Sequence, residues 1–305
     1  MAKIIFLGTP YFAVPVLKRI LKSKYDIFSV FTQPSKKSNR GQKILKSPIH
    51  NFAEHHKLNV KTPVNIKSEI NFIKKSKIDM GIVIAYGQII PQEIIESCKF
   101  GFINIHASLL PKYRGAAPIH RSIMNLDQTT GISFMKLNRY LDSGPVSNQY
   151  KIKILENDNF ETLSKKLSQL SAEKIIENID LIFSNKVNFV NQNHAEATYA
   201  KKIDKLEGKI NWNESSKKIL GKINGLFPYP GAWFKFENKR YKILKSKLSK
   251  KTGKPGNVLD ENLTVACGCG SIKILKIQRE GKNSQNNTEF LLGSKIKKGS
   301  FLNAE

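Results

Sequence analysis

The run Ile78–Ala85 constrains the fold more than any other stretch of the chain, because it is nearly continuous in apolar residues and dense in β-branched ones at Ile82, Val83 and Ile84. A strand apolar on both sides must be covered on both faces, which places it inside a parallel sheet flanked by helices. Its neighbours agree. Lys3–Leu7, Asp26–Phe31 and Gly101–His106 read as further short strands. Between them, residues 12–22 set Val14, Leu17 and Leu21 on one helical face. Ser47-Pro48 supplies an N-cap with proline at the first helical position, starting a helix to about Lys57, and another is expected from Pro91 to Ser97. Strand and helix in alternation predict an α/β domain with a doubly wound, Rossmann-like sheet.

Strands are also expected at 130–138 and 146–154, followed by a long helix from Asp158 with Glu161 as its capping-box partner. The pattern then dissolves into asparagine-rich sequence. A helical piece at 214–224 precedes short alternating strands at 232–236, 240–247, 256–259, 262–266 and 271–278. Regular short strands between turn residues suggest a small barrel, and an OB-like β-barrel fits the size. The expected organisation is therefore a first domain over 1–186, a linker over 187–207 and a C-terminal domain over 208–305. At 305 residues, two cores are the ordinary expectation.

No apolar run approaches the roughly 18–20 residues that span a bilayer, and Ile4–Leu7 leads straight into a Gly-Thr-Pro turn rather than continuing as a signal peptide. Membrane residence is thus not expected. Cys98, Cys267 and Cys269 are an odd set for a disulfide framework. The Cys-x-Cys pair lacks further ligands nearby for zinc and is read as small residues at alternating strand positions. A reducing, cytoplasmic setting follows. Net charge is +27, from 51 basic and 24 acidic residues, and the C-terminal part carries the denser excess. Such a balance favours polyanion partners through counterion release, although enrichment in Lys, Asn and Ile would inflate it without any such partner.

The segment Asn104–Ile119 carries the strongest chemical signal. Asn104 and His106 are two apart on a strand, so both side chains leave one face at its carboxyl end, where parallel sheets bind ligands. The turn Leu141-Asp142-Ser143-Gly144-Pro145 follows another strand and can supply a carboxylate. An amide donor, an imidazole and an acid suit acyl or formyl transfer to an amine. The imidazole relays the proton, the acid orients it, and the amide faces the oxygen on which charge builds. A lone histidine at a strand end is more often an ordinary structural partner than a catalyst, so spacing alone does not establish the chemistry.

The stretch Asn104-Ile105-His106-Ala107-Ser108-Leu109-Leu110-Pro111-Lys112-Tyr113-Arg114-Gly115-Ala116-Ala117-Pro118-Ile119 resembles the signature of the folate-dependent formyltransferases. The likeness continues in Ile5-Phe6-Leu7-Gly8-Thr9-Pro10, in Val83-Ile84-Ala85-Tyr86-Gly87-Gln88-Ile89-Ile90-Pro91 and in the Asp142 turn. It implies Asn104, His106 and Asp142 as the catalytic set. It also implies Ser108, Leu109, Leu110, Pro111, Tyr86, Gly87 and Ile89 as the folate-contacting stretch. The implied donor is 10-formyltetrahydrofolate, with no metal. One departure is Arg139-Tyr140 where the family usually has a small residue, so Tyr140 is expected to crowd or reshape the turn of Asp142.

The core does not choose the formyl acceptor. Residues 33–48 interrupt the alternating pattern and hold Lys36, Lys37, Arg40, Lys43 and Lys46 without an acid. A βα loop is commonly about 2–6 residues, so this is an insertion. It resembles the loop by which some family members engage the acceptor end of a transfer RNA, with Arg40-Gly41 at the matching place. Together with the basic alternation around 241–248, this resemblance implies initiator methionyl-tRNA as partner; no stable protein partner is evident in the sequence, and a monomer is expected. Two readings compete: formylation of an amino sugar nucleotide on the same core, and a non-catalytic RNA-binding relative. For Phe227 and Trp233, core packing is the expected role rather than base stacking.

Overall fold

A computed structural model describes residues 2–38 and 43–302 and divides the chain into two compact units. The first comprises 1–115, 130–152 and 164–199; the second comprises 116–129, 153–163 and 200–305.

The strands of the first part are β1 (Lys3–Gly8), β2 (Asp26–Phe31), β3 (Lys36–Ser38), β4 (Lys43–Leu45), β5 (Val60–Lys61), β6 (Met80–Ile84), β7 (Phe102–His106), β8 (Thr129–Lys136) and β9 (Val146–Lys153). Seven form one sheet in the order β5-β2-β1-β6-β7-β8-β9. The first five run parallel, and β8 turns antiparallel to β7. Every residue of β6 and β7 is buried, as a strand covered on both faces requires. The chain leaves β1 toward β2 and returns on the other side at β6. The ends of β1 and β6 therefore flank a topological switch point, where such sheets leave a crevice.

The helices are α1 (Val14–Leu21), α2 (Pro48–His55), α3 (Ile70–Lys75), α4 (Gln92–Ile95), α5 (Pro118–Met124) and α6 (Phe160–Phe183). Helix α1 buries Val16, Leu17 and Ile20, one apolar stripe at helical spacing. Helix α2 starts where the sequence predicts: Ser47 Oγ accepts from His50 N at 3.0 Å, with Pro48 in the first turn. Helix α6 begins at Phe160 rather than Asp158. The Asp158 carboxylate is occupied by Leu155 N, and the reciprocal cap is made by Asn159 and Thr162, not by Glu161. The basic insertion is not an open loop, because β3 and β4 pair as a short antiparallel ribbon.

The asparagine-rich stretch does more than connect. Val190 exchanges both backbone bonds with Val146, Gln192 is buried, and Thr198 O accepts from Arg114 N at 2.8 Å.

The second unit adds α7 (Ser216–Leu226), β10 (Ala232–Phe236), β11 (Lys239–Ser249), β12 (Thr264–Ala266), β13 (Ser271–Arg279), β14 (Ser284–Asn286) and α8 (Asn287–Leu292). These five strands form an antiparallel sheet, β10-β11-β13-β12 with β14 on β13. Its core joins Trp212, Phe234, Tyr241, Ile243, Ile272 and Ile274 with Ile219 and Ile223 of α7. The strand expected at 256–259 is reduced to single bridges from Asn257 and Val258, since Gly256 takes φ +89° and the backbone cannot run extended. Cys267 and Cys269 also depart from expectation. β12 stops at Ala266, and the two thiols lie on a turn, one buried and one exposed. Trp233 is 4% exposed, carries the Arg240 guanidinium 4.0 Å from its ring centroid, and is a packing residue as expected. Across the whole chain, the fold is mixed α/β: a parallel-rich sheet in one unit and an antiparallel sheet in the other.

Candidate active site

His106 ends β7 with its ring 6% exposed beside Asn104, 8% exposed, on the same face of the strand. Its Nε2 lies 2.8 Å from the carbonyl oxygen of Tyr113. A carbonyl only accepts, so Nε2 carries the hydrogen and Nδ1 is left as the basic nitrogen of the neutral ring. Nδ1 in turn faces Asp142 Oδ2 at 3.7 Å. That is too long for a hydrogen bond, yet it places a carboxylate where a positive charge on the ring would develop. The same oxygen accepts from Gly115 N at 2.8 Å, and Asn104 Nδ2 lies 3.5 Å from Oδ1. The three expected catalytic side chains therefore converge, with His106 held from one side by Tyr113 and approached from the other by Asp142.

The Asp142 turn is a strained piece of backbone. Asp142 takes φ +44°, a left-handed conformation that costs a non-glycine residue about 1–3 kcal/mol. Gly144 is required beside it, since a Cβ there would lie 1.8 Å from Lys136 O. Tyr140 does not crowd the turn. Its ring is 59% exposed and lies against the Arg139 guanidinium, while its amide donates to Asn138 Oδ1 at 3.0 Å. Ser143 Oγ donates to the same amide oxygen, so Asn138 organises the turn from within.

The other residues expected at the site divide into backbone and side-chain positions. Ser108 is buried and donates to Lys112 O at 2.6 Å, closing the Leu109-Leu110-Pro111 turn on itself. Ser133 and Gln149, which sequence reasoning missed, brace that turn. Ser133 Oγ accepts from Leu110 N and donates to Ser108 O, and Gln149 Nε2 donates to Leu110 O. Tyr86 turns its ring into the core among Leu7, Phe31 and Ile94, and burial raises its phenol well above the usual range. What Tyr86 offers the crevice side is its carbonyl, which accepts from Thr9 Oγ1 at 2.8 Å and Gln33 Nε2 at 3.3 Å. Gly87 follows at φ +86°, and Ile89 is 90% exposed. Gln88 ties this segment to 63–66, bonding Ile66 N and Pro63 O, and Val64 there is 88% exposed. Val64 and Ile89 are thus bare apolar side chains following β5 and β6.

Of the basic insertion, Lys36 and Lys37 lie on β3 and Lys43 on β4, while Arg40 falls outside the described residues. Lys46 is paired with Glu54 at 2.6 Å. Ile44 beside it is 71% exposed. In the second unit, β11 exposes Lys245 and Lys247 and pairs them directly with Lys276 and Lys273 of β13. Like charges opposite one another in a sheet are mutually destabilising. Lys273 and Lys276 carry no motif and were not singled out by sequence. Among the described residues, no group of three or more His, Cys, Asp and Glu is placed to hold a metal, and no helix is long and apolar enough to cross a membrane.

Comparison with known proteins decides the family. Residues 2–179 match Formyl transferase, and residues 202–295 match Formyl transferase, C-terminal domain. The chain belongs to the formyl transferase family. A methionyl-tRNA formyltransferase of Pelagibacter ubique is 56% identical over 98% of both chains, and one of Rickettsia massiliae is 40% identical over 98% of this chain and 99% of that one. Among solved structures, a sugar 3N-formyl transferase crystallised with dTDP and 5-N-formyl-THF aligns with a TM-score of 0.69 at 24% identity, covering 93% of this chain and 99% of that one. A methionyl-tRNA formyltransferase from Clostridium thermocellum aligns with a TM-score of 0.60 at 18% identity, covering 82% and 94%. At those identities the two structures speak for the fold alone. Formyl transferases that act on different acceptors thus share this architecture.

Proposed function

We propose that this formyl transferase moves the formyl group of 10-formyltetrahydrofolate onto the α-amino group of initiator methionyl-tRNA, making the formylated species used to start translation. The observation that carries this reading is the 56% identity to the Pelagibacter ubique methionyl-tRNA formyltransferase through 98% of both chains. The lysine-on-lysine pairing of β11 and β13 supports it physically. A surface that repels itself is stabilised by a polyanion, and phosphate contacts of this type give affinity without reading bases.

In this reading residues 1–186 carry the chemistry, 187–207 lead on from them while bonding back to Val146 and Arg114, and 208–305 form an OB-like barrel that holds the RNA. Lys36, Lys37, Arg40, Lys43 and Lys46 engage the acceptor stem. The Lys46–Glu54 pair is solvent-exposed and offers little resistance to exchange for a phosphate. The enzyme works in the cytoplasm as a monomer.

Folate supplies an activated one-carbon unit and an aromatic body. The 86–89 segment, the Ser108–Pro111 turn and the exposed Val64 and Ile89 are the residues that would hold it. At the reacting centre the amine nitrogen bonds to the formyl carbon, the carbon's bond to the folate nitrogen breaks, and the proton lost by the amine passes to that nitrogen. His106 Nδ1 is the basic atom that receives and returns this proton. Asp142 stabilises the ring while it is charged, and Tyr113 O fixes which nitrogen is available. Asn104 Nδ2 is the donor for the charge that builds on the formyl oxygen.

The test is to mix the protein with 10-formyltetrahydrofolate and charged initiator tRNA, with an amino sugar nucleotide in parallel. Formylmethionine on the tRNA, with the sugar untouched, is the expected result. Formylation of the sugar alone would overturn the proposal.

A further inference from the structure

Gln192 lies in the asparagine-rich stretch that the sequence marks only as a connection, yet it is 9% exposed and uses every hydrogen-bonding position of its amide. Oε1 accepts from Arg114 Nε at 3.0 Å and Nη2 at 2.7 Å. Nε2 donates to Asp142 O at 3.0 Å and Gly144 O at 2.7 Å. Arg114 is itself 3% exposed, and its Nη1 lies 3.2 Å from His194 Nδ1. A guanidinium has only donors, so it fixes which end of the Gln192 amide faces it and turns the NH2 group toward the Asp142 turn. The backbone repeats the link. Val190 is bonded to Val146 just past that turn, and Thr198 accepts from Arg114 N and, through Oγ1, from Tyr113 N at 2.8 Å. The strap 190–199 thus ties together the two loops that grip His106: one supplies Tyr113 O, the other the Asp142 carboxylate.

We infer that Gln192, anchored by Arg114, is a positioning residue that holds the left-handed Asp142 turn so that its carboxylate faces His106 Nδ1. The role rests on the catalytic reading of His106 and Asp142 above. Gln192 touches no reacting atom and acts through the two carbonyls it binds. A carboxylate at this position would keep both bonds from Arg114 while losing both donations to the turn. Stability and positioning can therefore be separated within one site.

The experiment compares the full-length wild type with Gln192→Glu and Gln192→Ala. Gln192→Glu, pairing with Arg114, should keep more of the wild-type melting temperature than Gln192→Ala, the two carbonyls left without donors costing it the rest. Its kcat for formylation of charged tRNA should fall about 10–100-fold, with KM for both substrates within about threefold, as expected when a proton-transfer pair is misaligned. Gln192→Ala should lose both stability and kcat. The readout independent of turnover is the 15N resonance pair of the His106 ring at fixed pH, assigned by comparison with His106→Gln. It should move in Gln192→Glu. Wild-type kcat with an unmoved His106 ring in Gln192→Glu would overturn the proposal. A wild type unable to formylate methionyl-tRNA would instead strike the functional reading, and the ring resonances would still decide the positioning role.

Discussion

At the end of β7, Asn104 and His106 sit almost out of solvent and Asp142 approaches them from a strained turn, so their polar groups meet specific partners. On the outer side of β11 and β13, lysines stand toward solvent and face one another. The first region invests backbone strain and buried polarity in placing particular atoms beside one another. The second accepts electrostatic repulsion and fixes little beyond a sign of charge. Proton transfer needs the former because reaction falls off steeply with misplacement. Affinity for a polyanion needs only the latter, because counterion release depends on how many charges are presented rather than on which ones.

The sharpest separation is expected from His106→Ala. Turnover should fall by about 10³-fold or more, since general base catalysis alone contributes roughly 10²–10⁴. Binding of uncharged tRNA, followed by filter retention, should stay within a few-fold. Parallel losses would mean that the two regions are not functionally distinct.

An intermediate effect is expected from the doubly substituted Lys247→Ala, Lys276→Ala protein. Its tRNA affinity should fall several-fold and respond less steeply to salt between 50 and 200 mM, by about two in the logarithmic slope if each lysine meets a phosphate. Its melting temperature should hold or rise slightly, because each substitution removes one side of a like-charged pair. A lower melting temperature with unchanged affinity would break the comparison.

The smallest effect concerns a second histidine, one with no part in the site. His120 stacks on Phe160, and burial, with Arg121 beside it, pushes it down to about 4. Its folded value lies below the ordinary 6.5, so the unfolded chain takes the proton first as pH falls. Between about 6.5 and 4 the unfolded state binds more protons, and stability drops as the solution is acidified through that window. His120→Gln should reduce the loss of melting temperature between pH 7 and 5 by a few degrees. An identical pH dependence in variant and wild type would show that His120 is already as accessible to protons when folded as when unfolded.

The same contrast explains what could be read from the amino-acid order. The strands β1, β2, β6 and β7 and the start of α2 were legible because each rests on a local pattern: apolar runs, or Ser47 followed by Pro48. Asn104 and His106 were placed on one face by their spacing alone, and the formyltransferase motif marked the Asp142 turn. What escaped depends on chain meeting chain. Gln192 has no motif, and its role exists only because Arg114 lies against it after folding. Ser133 and Gln149 brace the Leu110 turn from β8 and β9, again without a local signal. The cap of α6 moved to Asn159 because Leu155 N occupies the side chain of Asp158, a competition invisible to a residue-by-residue pattern. Tyr140, which the sequence marked as a threat to the site, turned outward onto Arg139.

A kinetic cycle over His106→Ala, Asp142→Asn and the double variant measures most directly whether His106 and Asp142 act as one proton-handling unit. If the two side chains work only through each other, the double variant should be no slower than the poorer single one, about 10³-fold below wild type. Losses that multiply across the cycle would mean that each acts independently, and the geometry joining them would have no part in the chemistry.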